Sequence, residues 1–266
     1  MNCNICSHIS NKLFSKKILG KYDVNYYQCT NCNFIQTDEP FWLSEAYSSA
    51  ITLSDIGLFS RNIYFTEIST AMLRICGFDP TKKYLDYGAG YGVYVRMMRD
   101  NGFNFYWSDE YCENLYTKKF SADLSIPKKE YELVTAFEVF EHLVNPIKEI
   151  EKLLQYTDSI LFSTLLTNSA NTSIDNWWYL APEHGQHVAL YNKKTLHYIA
   201  DKYKLRLYTN NSSLHLLTKK KLNSLYYKFF TRIRIAKLYN TIFQPHGLLE
   251  SDYKLYFNDY SKKNNA

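Results

Sequence analysis

The sequence predicts an α/β fold with a doubly wound sheet, and three observations carry that prediction. Short runs of strand composition alternate with helical patterns from residue 83 to residue 203. The first of these runs, Lys83-Tyr84-Leu85-Asp86-Tyr87, leads directly into Gly88-Ala89-Gly90-Tyr91-Gly92. Residues 93–100 then read as a helix that stops at Asn101-Gly102, a C-terminal signal. A strand, a glycine turn and a helix start aim backbone N–H groups at a ligand. Third, residues 103–108 have strand composition and end at Asp109, about 20 residues beyond the loop, where a carboxylate can meet ribose hydroxyls. The dinucleotide fingerprint is not matched, because Val93 stands where its third glycine would be.

The elements follow in order. Residues 1–40 hold Cys3-x-x-Cys6 and Cys29-x-x-Cys32, with 22 residues between the knuckles. Two such knuckles can close a tetrahedral Cys₄ site, and residues 22–28 between them have strand composition, so a zinc ribbon is expected. Pro40 marks a break, and residues 41–80 form a helical cap or linker whose apolar positions are Ile63, Ile68, Met72, Leu73 and Ile75. The main domain is expected over 81–218. Its strands are 84–87, 104–108, a short third element near 119–122, then 132–137 and 159–164. Asn145 and Pro146 open a helix, residues 193–203 form another, and 205–209 with 213–218 read as a hairpin around Asn210-Asn211. Residues 219–266 are a basic, aromatic, helical extension with helical spacing over 222–239.

Composition narrows the function. At 46% hydrophobic and 17% aromatic, the 266 residues can bury a substantial core, which excludes wholesale disorder. A net charge of +5 spread along the chain does not argue for a nucleic-acid partner. No apolar run reaches the ~20 residues that span a bilayer, and Met1-Asn2-Cys3 does not begin a signal peptide, so a cytoplasmic location is expected. In that compartment six cysteines point to metal and buried thiols, with Cys76 and Cys112 as core residues. The basic extension can pack its apolar face on its own chain or on a second subunit, giving a homodimer through the C-terminal helix. A membrane or nucleic-acid surface is the other reading of the same helix.

Asp86 with Gly88, Gly90 and Gly92, followed by Asp109, resembles the cofactor site of class I S-adenosylmethionine-dependent methyltransferases. The stretch Glu138-Val139-Phe140-Glu141-His142 is similar to a Glu-His phrase of the same family. The resemblance implies a Rossmann-like, seven-stranded sheet closed by an antiparallel hairpin. It implies S-adenosylmethionine held by Asp86, the three glycines and Asp109, with Glu110 as the alternative ribose acid and Glu138 and Arg61 as further contacts. The phrase 42–47, with Asp55 and Arg61, resembles a zinc-ribbon-bearing subgroup.

The segment after the fifth strand faces the carboxyl end of the sheet and should carry chemistry. Residues 175–191 hold His184, His187, Asp175, Glu183 and four aromatics. Methyl transfer requires an oriented acceptor and the loss of its proton, and a histidine suits that step near neutral pH. His187 is the expected base, with His184, Glu183 and Tyr191 as helpers and Glu141-His142 as the rival pair. This stretch resembles the Trp…(Glu/Gln)-His…Tyr segment of bacterial sugar and nucleotide-sugar methyltransferases, which implies a sugar or nucleotide-linked acceptor in surface polysaccharide biosynthesis. C-methylating relatives place an acid before the histidine; here Gln186 stands there, which favours O-methylation. Two other classes stay open: an RNA methyltransferase gripping RNA through its ribbon, and an inactive cofactor-binding assembly module.

Overall fold

The computed structural model describes residues 1–47, 56–167, 174–244 and 246–264; Asp55, singled out above, lies outside them. The elements begin with β1 (Ser10–Ile18), β2 (Tyr22–Cys29), β3 (Ile35–Thr37), α1 (Leu43–Ala46) and α2 (Leu58–Ile75). The glycine-loop region follows as β4 (Lys83–Tyr87), α3 (Val93–Asp100), β5 (Asn104–Ser108) and β6 (Tyr131–Ala136). Next come α4 (Pro146–Leu153), β7 (Ser159–Ser163), β8 (Ala189–Leu190), α5 (Lys193–Lys202), β9 (Arg206–Thr209) and β10 (Leu214–Thr218). The chain closes with α6 (Ser224–Phe230), α7 (Ile233–Ile242) and α8 (Leu249–Asn264).

Six strands form one mixed sheet in the order β5-β4-β6-β7-β10-β9. Strands β5 and β6 run parallel to β4, while β10 is antiparallel to both β7 and β9. All five positions of β7 and of β10 are buried, as expected for apolar runs covered on both faces. The β9–β10 connection turns on Asn210, whose Oδ1 accepts from the backbone N–H groups of Ser212, Ser213 and Leu214 at 2.9–3.0 Å.

The expected seventh strand does not form among the described residues. Near 119–122 the chain makes one 3₁₀ turn, Lys118–Phe120, and a single parallel bridge from Trp107 to Ser121. The cause is local. Phe120 is buried there while Lys118 and Ser121 face solvent, and the Asn114 side chain ties the approach to Thr117 and Ser121.

The chain folds as two units, each assembled from two stretches: Met1–Asp55 with Ala136–Lys221, and Ile56–Thr135 with Leu222–Ala266. In the first, a four-stranded sheet runs β1-β2-β3-β8, with Ile35 opposite Leu190 and Gln36 opposite Ala189. Ile18, Val24, Tyr26, Ile35, Trp42, Leu180 and Leu190 share its core. Helix α4 buries Ile150 and Leu153; Pro146 opens it, while Asn145 at the cap position makes no side-chain cap bond. Asn192 does cap α5, accepting from Thr195 N–H at 3.0 Å.

In the second unit, α2 packs on α3, α6 and α7. Ile68, Met72 and Leu73 are buried as their spacing predicts, whereas Ile63 stays exposed. The helical pattern over 222–239 resolves into α6 and α7, which bury Tyr227 and Ala236. Helix α8 is fixed to α3 through Asp252, whose two carboxylate oxygens accept from Arg99 Nε and Nη2 at 2.8 and 2.7 Å. This buried bidentate pair anchors the extension on its own chain. Among the described residues no helix is long and apolar enough to cross a membrane.

Candidate active site

The glycine loop belongs to the second unit. Gly88, Gly90 and Gly92 have φ of 74°, 53° and 87°, the left-handed region that a Cβ disfavours. A Cβ on Gly92 would stand 2.8 Å from Thr117 Oγ1 and 3.0 Å from Asn114 Oδ1. A Cβ on Gly90 would meet nothing within 4 Å. Gly92 is therefore required by the protein's own packing, whereas Gly90 borders open space that a ligand's atoms can enter. The loop is braced: Gly88 N–H and Ala89 N–H donate to Ser108 O, and Trp107 Nε1 donates to Gly90 O at 2.7 Å.

Asp109 completes the brace. Its Oδ2 accepts from Gly90 N–H at 2.8 Å, and its Oδ1 accepts from Tyr111 and Cys112 N–H at 2.7 and 2.8 Å. A carboxylate offers about four acceptor positions, so one remains on Asp109 for a hydroxyl. Glu110 is the exposed next residue. Asp86 is buried, accepts from Thr135 Oγ1 at 2.6 Å, and is pushed up to about 7, first by burial and then by the charge of Asp109. Arg61 lies half-buried in the first turn of α2.

In the first unit, Cys3, Cys6, Cys29 and Cys32 are buried, unbridged and gathered with all four sulfurs within 4.8 Å of one another. Cys3 and Cys32 sulfurs stand 3.6 Å apart, Cys6 and Cys29 sulfurs 3.3 Å. Zinc at about 2.3 Å from four sulfurs spaces them about 3.8 Å apart, so the donor set fits a tetrahedral ion after a small expansion. Backbone N–H groups of Ile5, Asn31 and Cys32 already point at Cys3 and Cys29 sulfurs at 3.4 Å. Cys3 is held down to about 5, chiefly by the Cys32 thiol, which is itself pushed far up by that bond.

The N-terminal segment, residues 1–47, also holds the loop that carries His187. Beyond the β3–β8 pairing, Thr37 N–H donates to Val188 O, Gln186 Nε2 to Ala46 O at 2.8 Å, and Trp42 Nε1 to Gly185 O at 2.8 Å. Thr195 Oγ1 and Asn192 Nδ2 bind the carbonyls of Cys32 and Asn33.

The two histidines that the sequence sets against each other are neighbours. The His142 and His187 rings lie 5.0 Å apart, and Glu141 joins them, one ligand atom of each residue falling within 4.8 Å of the others. His187 Nδ1 meets the Tyr179 carbonyl, which can only accept, so Nδ1 carries the proton and Nε2 the lone pair. His142 Nδ1 pairs with Tyr47 OH at 2.7 Å. Burial pushes His142 down to about 3, with His187 adding to the effect, and burial also lowers His187. Both imidazoles are thus neutral at pH 7. Burial, then the charge of Glu138, pushes Glu141 up to about 8, with the neighbouring Tyr179 and Thr164 hydroxyls pulling the other way; neither carboxyl oxygen makes a hydrogen bond of good geometry.

The remaining predicted residues take other places. Glu138 has φ of 54°, uncommon for a non-glycine residue, and its Oε1 accepts from Ser163 Oγ at 2.6 Å. Tyr191 is fully buried and spends its hydroxyl on Phe140 O at 3.0 Å. Glu183 and His184 form a loose pair 3.8 Å apart, one turn before His187, and act on it through charge. Tyr47 closes the 42–47 phrase singled out above, but nothing in the sequence marks it or the Tyr179 carbonyl as orienting an imidazole.

A glycine loop between a parallel strand and a helix, with an acid ending the next strand, defines an α/β protein that binds a nucleoside-type cofactor. The model of the family described as a methyltransferase domain matches residues 61–210. That match covers more than half of the chain, which belongs to this family and is an S-adenosylmethionine-dependent methyltransferase. No curated protein matches significantly. Among solved structures, the chain is similar to magnesium protoporphyrin IX methyltransferase from Synechocystis PCC 6803 with bound S-adenosylhomocysteine. That likeness has 17% identity and a TM-score of 0.46 over 66% of this chain and 90% of the other. The plantazolicin methyltransferase, also with S-adenosylhomocysteine, gives 14%, 0.45, 67% and 89%. An O-methyltransferase family 2 protein from Planctomyces limnophilus in complex with apigenin gives 14%, 0.44, 67% and 65%. None of these likenesses sets the acceptor of this chain.

Proposed function

We propose that the chain transfers a methyl group to a hydroxyl of a sugar, nucleotide-sugar or sugar-linked group used in surface polysaccharide biosynthesis. S-adenosylmethionine supplies the methyl group. The open face at Gly90 and the remaining acceptor position of Asp109 fit its nucleoside, with Asp86, Gly88, Gly92, Glu110 and Arg61 as further contacts. The single observation carrying the acceptor side is the lone pair of His187 Nε2, fixed by the Tyr179 carbonyl and set beside His142 and Glu141.

His187 engages the acceptor hydroxyl and, where the cluster holds no ion, serves as the general base. A neutral imidazole is the form that can take a proton, and burial keeps it neutral. Gln186 supports O- over C-methylation, because its amide is bound to the Ala46 carbonyl and puts no acid directly before His187. The four cysteines hold structural zinc, and its service to the reaction is indirect, through the β3–β8 pairing. In this reading residues 1–40 are the ribbon, 41–80 the cap, 81–218 the catalytic domain and 219–266 the extension, in a protein working in the cytoplasm without a nucleic-acid partner. A homodimer through the C-terminal extension belongs to the same reading.

The test is isotope-labelled methyl transfer from S-adenosylmethionine to a panel of sugars, nucleotide-sugars and tRNA. Label on a sugar oxygen is expected. Label in RNA supports the RNA alternative, and label on no member of the panel removes the sugar assignment.

A further inference from the structure

The Glu141 side chain is completely buried, and neither of its carboxyl oxygens makes a hydrogen bond of good geometry. A buried polar group without a good partner is destabilising, and a bound ion is one way a native protein completes it. Two hydroxyls stand beside the carboxyl, Tyr179 OH and Thr164 Oγ1, themselves 3.4 Å apart, and neither meets it in good hydrogen-bond geometry; Val188 N–H goes to the backbone carbonyl of Glu141. What faces the carboxyl is a pair of imidazoles, with one ligand atom of each of the three residues within 4.8 Å of the others.

We propose that Glu141, His142 and His187 form a second metal site, holding a first-row divalent cation that binds the acceptor's hydroxyl oxygen. The inference rests on taking this cluster as the acceptor side. Two imidazole nitrogens and one carboxylate suit Mn²⁺, Fe²⁺, Co²⁺ or Zn²⁺ and leave coordination positions open, unlike the closed four-sulfur set. Ligand atoms about 2.0–2.2 Å from such an ion stand about 3–3.5 Å apart, so modest side-chain rotation closes the observed spacing. The second nitrogen of each ring is held in the way metal-bound histidines are held: His187 Nδ1 by the Tyr179 carbonyl and His142 Nδ1 by Tyr47 OH. Glu138, whose charge acts on Glu141, stands at the edge of the cluster in a strained backbone conformation.

The cation deepens the proposed reaction. A hydroxyl coordinated to it loses its proton to solvent more readily. The oxygen then bonds to the methyl carbon as the carbon–sulfur bond breaks onto sulfur, leaving the methyl ether, S-adenosylhomocysteine and one proton. With the ion bound, His187 acts as ligand and no separate base is needed.

The experiment titrates Mn²⁺ into full-length protein that retains its cysteine-bound metal and S-adenosylhomocysteine, reading free and bound Mn²⁺ by electron paramagnetic resonance. Co²⁺ and Zn²⁺ are counted by elemental analysis. One ion per chain beyond the cysteine site is expected on the wild type. That ion should be lost in Glu141→Gln and in His187→Asn, while both keep the sulfur-bound metal and cofactor binding. Wild type that binds none of the three ions beyond the cysteine site overturns the proposal, as does unchanged stoichiometry in the two variants. Should Glu141→Gln not fold, the wild type and His187→Asn decide. Cofactor bound without a second ion sinks this inference alone, whereas an ion bound without cofactor removes the assignment of the glycine loop.

Discussion

Gly90 and Gly92 lie two residues apart in one loop, yet alanine at each should fail differently. At Gly92 the new methyl group meets Thr117 Oγ1 at 2.8 Å and Asn114 Oδ1 at 3.0 Å. Neither atom can retreat easily, because Thr117 Oγ1 donates to Asn114 Oδ1 at 2.8 Å and Asn114 Nδ2 donates to Thr117 O at 2.9 Å. The left-handed backbone costs an alanine about 1–2 kcal/mol and the overpacking about 1–3 kcal/mol more, for a total of about 2–5 kcal/mol. At Gly90 only the backbone term applies, about 1–2 kcal/mol, since the methyl group enters open space. That space is the cofactor's in our account, so Gly90→Ala should weaken S-adenosylhomocysteine by about 1–3 kcal/mol, roughly 5- to 150-fold. Urea unfolding without ligand measures the first effect and calorimetric titration of S-adenosylhomocysteine the second. Wild-type affinity in Gly90→Ala would show that the open space is not the cofactor's. Equal stability of the two variants would show that the Asn114–Thr117 wall does not confine Gly92.

Three further outcomes follow from the same geometry. Asp109→Ala should weaken S-adenosylhomocysteine by about 1–3 kcal/mol, the range for charge-assisted bonds, and unchanged affinity in both Asp109→Ala and Glu110→Ala, read by calorimetry, removes the ribose assignment. Asp86 holds its proton up to about 7 in the folded chain and releases it near 3.8 when unfolded, so the folded state binds more protons between those values and stability falls as pH rises through that window. Asp86→Asn, which keeps an acceptor for Thr135, should therefore exceed wild type in unfolding free energy at pH 8 by up to about 4 kcal/mol and converge with it near pH 4; a difference independent of pH contradicts the assignment. Cys29→Ser should lose stoichiometric zinc by elemental analysis and lose hydrogen-exchange protection at Ala189 and Leu190, the partners of β3, with cofactor affinity retained.

Much of this was legible in the sequence because it is local. Glycines after a short strand, an acid closing the next strand and paired Cys-x-x-Cys knuckles are short-range signals, and each stands where its spacing places it. The third core strand expected near 119–122 is instead a 3₁₀ turn with Phe120 buried and its neighbours Lys118 and Ser121 exposed. The histidine cluster is harder to read. His142 and His187 follow different strands, and linear spacing sets them up as rivals although their rings lie 5.0 Å apart. The orienting partners of those rings, Tyr47 and Tyr179, are fixed by tertiary packing alone. The pairing of β3 with β8 is equally invisible in the chain, since Ala189-Leu190 is too short to announce a strand, yet it ties the N-terminal sheet to the His187 loop.

The central claim is that the acceptor loses its proton at the His187 cluster. Single-turnover methyl transfer by wild type, His187→Asn and His142→Asn tests it most directly, with cofactor affinity measured on the same samples. The account predicts that His187→Asn binds S-adenosylhomocysteine normally and transfers methyl roughly 10²–10⁴-fold more slowly. Near-wild-type transfer by His187→Asn, with His142→Asn inactive, would contradict it and move the role to the rival histidine.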